Sequence, residues 1–231
     1  MSLEVPMSTV LETAAEPEGA VAETPSSRVA VLVIVEGIND IEFLRRISRT
    51  IHEDDTAAPD LAYLEDDGRL IFLPIGGSDH RLWTDRLVPL RTGEFHLYDR
   101  DVPPHTEEHQ VAVDAVNRRK GCIAALTGFR HLENYLHPQA IYAARQIEVE
   151  FTGEDDLPEL IARRNVDMAS DGCRWLDIPP RKRRQMKHRV KRWLNTEAVD
   201  HMTPALLDQQ DPQGDVRSWL EAIDWLVREW S

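Results

Sequence analysis

Seven consecutive apolar residues, Val29-Ala-Val-Leu-Val-Ile-Val35, break off into Glu36-Gly-Ile-Asn-Asp40. A run of this length, rich in β-branched side chains, predicts a strand buried on both faces. Leu70-Ile-Phe-Leu-Pro-Ile75 predicts a second strand, with Pro74 placing it at an edge or restricting its end and Gly76-Gly77 closing it. Glu94 to Tyr98 and Gly121 to Leu126 predict a third and a fourth. Helical spacing lies between them. Asn39 and Glu42 stand three apart, as the cap and acid of a capping box, ahead of Leu44, Ile47 and Ile51. A further helix is expected over about 79–90, and another over His105 to Lys120 with Val111, Ala115 and Val116 on its apolar face. Strands alternating with helices imply βαβ units, hence an α/β fold with a mainly parallel four-stranded sheet flanked by helices. Beyond Leu126 the strand signals stop, and 130–148, 156–166, 181–195 and 215–229 read as helical. The expected organisation is an α/β domain over 28–138 and a helical C-terminal region over 139–231, with no internal repeat.

Residues 1–27 are rich in Ala, Glu, Pro, Ser and Thr and read as a disordered tail, without the basic start and apolar middle of a secretory signal. No apolar stretch approaches the roughly 20 residues that span a bilayer, so no membrane partner is expected. Cys122 and Cys173 suggest neither a disulfide framework nor a zinc site, and the cytoplasm is the expected compartment. The formal net charge of −14 argues at first against a nucleic-acid partner. The average hides a local reversal, because eight of the twelve residues from Arg181 to Arg192 are Lys or Arg. Read as a helix, this segment puts Lys187 and Lys191 on one side and Met186, Val190, Trp193 and Leu194 on the apolar side. A docked helix displaying cations to phosphate is favoured over a free tail.

The acids carry the chemistry. Glu36 directly follows the first strand, and Asp99 and Asp101 follow the third, two residues apart, so that on an extended strand end both point the same way. In open α/β sheets the carboxyl edge is where ligands bind. Asp40 lies about one helical turn beyond Glu36, and Glu133 follows the fourth strand. So many carboxylates at one edge call for a divalent cation. All-oxygen ligation suits Mg²⁺ or Mn²⁺, as one or two ions, better than zinc. Each acid also has a plainer reading: Asp40 favours its helix dipole by about 0.3–1 kcal/mol, and Glu133 could be a surface residue of a short helix. Trp219, Trp225 and Trp230 read as packing residues rather than a base-stacking platform. Gly76-Gly77-Ser78 serves equally as a turn or a phosphate cradle, and His131 and His137 merely flank Glu133.

Val35-Glu-Gly-Ile-Asn-Asp40 together with Asp99-Arg-Asp101 resembles the Toprim domain of topoisomerases, bacterial primases and several nucleases. Arg130-His-Leu-Glu-Asn-Tyr-Leu136 is similar to a segment of the overcoming-lysogenization-defect (OLD) nucleases and related phage-defence Toprim effectors. The resemblance covers 28–138, about half the chain. It implies a metal-dependent endonuclease acting on DNA or RNA, with Glu36, Asp40, Asp99, Asp101 and Glu133 dividing between two metal ions. Glu36 and Asp99 would be central to catalysis, and a lysine of the basic segment would stabilise the phosphate, Lys187 first and Lys191 next. Those nucleases commonly carry an ATPase domain, but no Gly-x-x-x-x-Gly-Lys-Ser/Thr sequence is present here, so ATPase control would require a separate protein. The alternatives are a catalytically idle Toprim module that binds nucleic acid or an ATPase partner, and a topoisomerase- or primase-type transferase.

Overall fold

The computed structural model describes residues 29–76, 80–169 and 174–231. The expected tail, Gly77, Ser78, Asp79 and Cys173 lie outside them. Four strands, β1 (Val31–Val35), β2 (Leu70–Pro74), β3 (Gly93–Tyr98) and β4 (Cys122–Leu126), form one all-parallel sheet in the order β2-β1-β3-β4. Among the described residues eight α-helices flank it: α1 (Ile38–Asp54), α2 (Leu61–Asp66), α3 (His105–Asn117), α4 (Pro138–Arg145), α5 (Leu157–Met168), α6 (Pro180–Thr196), α7 (Pro204–Gln210) and α8 (Asp215–Trp230). None of these is long and apolar enough to cross a membrane. Pro74 ends the edge strand opposite Val35, where a missing ladder donor costs little.

β1 is buried on both faces. Val31, Val33 and Val35 point into the larger core with α1, α5, α6 and α8, while Leu32 and Ile34 point into the smaller one with α3. The helices beyond residue 138 thus pack into the same core as the sheet. Trp230 lies so close to Gly121 that a Cβ there would fall 2.2 Å from the indole, and the φ of +75° at Gly121 also favours glycine. Trp219 is buried as expected, whereas Trp225 is half exposed.

Several local expectations are corrected. Helix α1 is capped by Gly37 rather than Asn39: the Asp40 carboxylate, not Glu42, reaches back to the Gly37 amide at 2.8 Å, and Glu42 pairs with Arg45 and Arg46. The helix expected over 79–90 is replaced, within the described residues, by two 3₁₀ turns, His80–Leu82 and Val88–Leu90. Pro89 interrupts the segment, and Leu82, Val88 and Leu90 are exposed, so that only Leu87, with part of Trp83, reaches the smaller core and no continuous apolar stripe forms. On α3 the buried face is His109, Ala112, Val113 and Val116, with Val111 turned to solvent. The helix expected over 130–148 divides at Pro138 into a 3₁₀ turn, Leu132–Tyr135, and α4.

The smaller core contains a polar strip. Glu94, His96 and Tyr98 alternate with Phe95 and Leu97 along β3 and therefore share one face. His96 contacts Glu94 Oε2 at 2.9 Å through Nε2 and the Tyr98 hydroxyl at 2.6 Å through Nδ1, and Arg119 pairs with Glu94. Burial holds His96 below its ordinary value against the pull of Glu94. Burial alone would raise Glu94, but hydrogen bonds with His96 and Arg119 hold it low. Unfolded chains take up the His96 proton near 6.5 whereas the folded protein resists it, so stability is lost as pH falls below that value. Lowering the pH from about 7.5 to about 5.5 should reduce the wild type's urea-unfolding free energy, and reduce it less in His96→Gln. Equal pH slopes for the two proteins would contradict this account.

Candidate metal centre

Chain connectivity reverses between β1 and β3: from β1 the chain crosses to β2 on one side, and from β3 to β4 on the other. The crossovers diverge there and leave a crevice at the strands' carboxyl ends. Glu36 follows β1 and Asp99 follows β3 into that crevice, and Glu36 Oε1 accepts the Asp99 amide at 2.9 Å. Asp99 Oδ1 in turn accepts the Leu132 amide at 2.9 Å, which ties β3 to the turn that carries Glu133. In that turn each polar side chain has a separate task. Glu133 is fully buried and faces the crevice, Asn134 donates to the carbonyls of Thr152 and Asp155, and the Tyr135 hydroxyl accepts the Gly128 amide and donates to Asp215 at the start of α8.

Helix α6 completes the site from the C-terminal region. Lys191 Nζ lies 3.3 Å from Asp40 Oδ1, 3.3 Å from Glu133 Oε1 and 3.8 Å from Asp99 Oδ2. One turn on, Asn195 donates to Glu133 Oε1 at 2.6 Å. Burial disfavours the ammonium's charge, but Glu133, Asp40, Asp99 and Glu36 together hold Lys191 well above its ordinary value. The acids remain undercompensated. Burial, with repulsion from Glu133 and Glu36 that Lys191 only partly offsets, pushes Asp40 up to about 6. Asp99 is raised well above the usual carboxylate range by burial and by Glu36, Asp40 and Glu133. Glu36 is instead held low: burial opposes its charge, but His80, the Asp99 amide and Lys191 outweigh it. Asp40 Oδ1 and Glu133 Oε2 are buried without a hydrogen-bond partner. Four carboxylates face one ammonium, with Glu133 Oε2 left without a hydrogen bond and Asp40 Oδ1 held by the ion pair to Lys191 alone, though among the described residues no three of these acids bring oxygens within 4.8 Å of one another.

A cleft of about 310 Å³ opens onto this cluster, lined by Glu36, Asp99, Asp101, Glu133, Lys187 and Lys191 among others. A larger groove of about 370 Å³ beside α8 contains none of these residues. Asp101 lines the cleft by a route other than strand alternation. β3 ends at Tyr98, and Asp101 sits at φ 53°, with its carboxylate 3.7 Å from Arg130 and 3.8 Å from His131. Lys187 stands at the cleft wall, paired with Asp156 and, at 3.1 Å, with Glu159. His137 caps α4 by accepting the Gln139 amide. The sequence pattern does not mark Asn195, Asp156, His80 or His109 as neighbours of these acids. Asn195 follows Lys191 by one helical turn and was open to the same helical reading, but no pattern in the chain points to the two histidines.

No family model matches the chain, and comparison with curated proteins finds no match. Two solved structures are similar to it, both of the C-terminal region of the OLD protein of Xanthomonas campestris pv. campestris, one phased with iodine and one with platinum. Each is 14% identical and covers 87% of this chain, with TM-scores of 0.48 and 0.44 over 97% and 95% of their own lengths.

If Lys191 and a metal ion share the acids, they compete. In EDTA, Lys191→Gln should lower stability by about 3 kcal/mol, the order expected on stranding buried charge. Millimolar Mn²⁺ should then raise the variant's melting temperature more than the wild type's, as followed by circular dichroism. An equal or smaller rise would place the ion elsewhere.

Proposed function

We propose that the protein is a metal-dependent nuclease that hydrolyses phosphodiester bonds of DNA or RNA. The observation that carries this reading is the convergence of Glu36, Asp40, Asp99 and Glu133, with more negative charge than Lys191 balances, at the topological switch point of a parallel sheet. In this reading Glu36, Asp40, Asp99, Asp101 and Glu133 hold one or two Mg²⁺ or Mn²⁺ ions. When bound, such ions supply Lewis-acid stabilisation of phosphate oxygens and a water of lowered pKa.

The chain's own groups do the positioning. The Asp99 amide orients Glu36, the Leu132 amide orients Asp99, and Asn195 orients Glu133, so the carboxylates are set before substrate arrives. Lys191 is the cation best placed to offset charge on the phosphate, and Lys187, held by Asp156 and Glu159, lies farther along the cleft wall. The exposed cations of α6, among them Arg181, Lys182, Arg184, Arg189 and Arg192, offer the nucleic-acid backbone a sequence-independent grip. A role as a phage-defence effector under a separate ATPase is consistent with the motif resemblance.

One observation favours the alternative of an idle binding module: Lys191 already sits as an internal counter-ion among the acids. The assay that separates the two incubates the protein with supercoiled plasmid, linear DNA and tRNA in Mg²⁺, Mn²⁺ or EDTA. Cleavage should require metal, fall at least about 100-fold in Asp99→Asn, and fall further in Lys191→Ala than in Lys187→Ala. An inactive wild type in both metals, or an Asp99→Asn variant that cuts equally well, would overturn the nuclease reading.

A further inference from the structure

Glu36 has a second set of neighbours. His80, from the crossover between β2 and β3, and His109, on the buried face of α3, bring one ring nitrogen each to within 4.8 Å of a Glu36 oxygen and of one another. Among the described residues this is the one carboxylate–imidazole group of such closeness. His109 Nδ1 lies 2.7 Å from the Asp99 carbonyl. A carbonyl can only accept, so Nδ1 carries a proton, and Nε2 is the nitrogen whose lone pair the neutral ring would offer to a metal. A backbone carbonyl that fixes the tautomer in this way is the usual outer partner of a metal-ligating histidine.

His80 faces the same carboxylate. Its side chain is only 11% exposed, and Nε2 is buried with no hydrogen-bond partner, 3.5 Å from Glu36 Oε1. The ring is wedged edge-on against Tyr98 at 4.4 Å and His109 at 4.2 Å between centroids, so the nitrogen cannot easily turn to solvent. A cation with donors at about 2.0–2.2 Å keeps its ligand atoms within about 4.4 Å of one another. A small side-chain rotation would therefore close the set.

The geometry points to Glu36, His80 and His109 as a second cation site, selective for a transition metal such as Mn²⁺ or Zn²⁺ over Mg²⁺. Imidazole nitrogen is the reason: it suits borderline metals, whereas Mg²⁺ prefers oxygen and retains its waters. The two carboxylate oxygens of Glu36 make it the shared ligand between this site and the all-oxygen one. The inference shares Glu36 with the nuclease reading, but it concerns metal binding alone and stands or falls without nucleic acid.

The test uses the full chain stripped with EDTA and reloaded with Mn²⁺, examined by electron spin-echo envelope modulation, alongside calorimetric titration with Zn²⁺ and with Mg²⁺. Wild type should show ¹⁴N modulation from imidazole, and His80→Gln and His109→Gln should each lose part or all of it. Each should also bind Zn²⁺ at least about tenfold more weakly while binding Mg²⁺ as the wild type does. The two variants lie on separate elements, so misfolding of one, visible by circular dichroism, leaves the other to decide. Absence of nitrogen modulation in the wild type, its undiminished depth in a folded His80→Gln or His109→Gln, or unchanged Zn²⁺ affinity would overturn the site. Plasmid cleavage in Mg²⁺ scores the nuclease reading separately.

Discussion

Like charge crowded at one sheet edge is the constraint around which the molecule is arranged. Glu36, Asp40, Asp99 and Glu133 come from the ends of β1 and β3, the first turn of α1 and the turn after β4, and all are removed from most contact with water. Buried carboxylates of one sign repel at short range in a medium that screens poorly, so the arrangement needs a cation. Within the chain that cation is Lys191. It belongs to α6, far along the sequence, and its position explains why the C-terminal helices must dock on the sheet: Val190 and Leu194 bury the apolar side of α6 against the core while Lys191 turns towards the acids.

The supports around the acids are mostly backbone amides rather than other side chains. Gly37, Asp99 and Leu132 each donate an amide to one carboxylate of the cluster. Amides cannot titrate or swing away, so the geometry is held whatever the protonation state of the acids. Asp40 does two things at once: one oxygen accepts the Gly37 amide at the N-terminus of α1 and the other faces Lys191. One carboxylate thus serves the terminus of α1 and also faces the acid cluster. Glu133, Asn134 and Tyr135 show the same economy, since the latter two anchor the turn so firmly that a fully buried glutamate can be presented to the crevice.

Glu36 is the joint of the arrangement. It meets the carboxylate cluster through the Asp99 amide and the field of Lys191, and it meets the histidines through His80. Behind it, the strip of Glu94, His96 and Tyr98 carries buried polar contacts down β3 to Arg119, and Tyr98 packs directly on the His80 ring. The smaller core thus trades apolar burial for a connected polar network, which is stable only while each member keeps its partner.

The sequence by itself determined the four strands, their parallel α/β arrangement and the acids at the strand ends, because burial on both faces leaves an apolar run with few alternatives and a turn must follow it. It also determined which side of α6 is apolar, since that depends only on helical period. Other features were decided by tertiary structure. Within the described residues of the 79–90 crossover the expected helix gives way to 3₁₀ turns, because Pro89 interrupts it and only Leu87 and part of Trp83 reach the core, and α1 took Gly37 as its cap because the Asp40 carboxylate could reach that amide. Both lysines of α6 share a helical face, and only the docking angle against α1 and α5 sends Lys191 to the acids and leaves Lys187 with Asp156 and Glu159. His80 and His109 lie 29 residues apart, on a loop and a helix, and periodicity cannot report which distant segments a sheet brings together. Local pattern fixes what each segment is, while long-range packing and the need to balance buried charge decide which side chains meet.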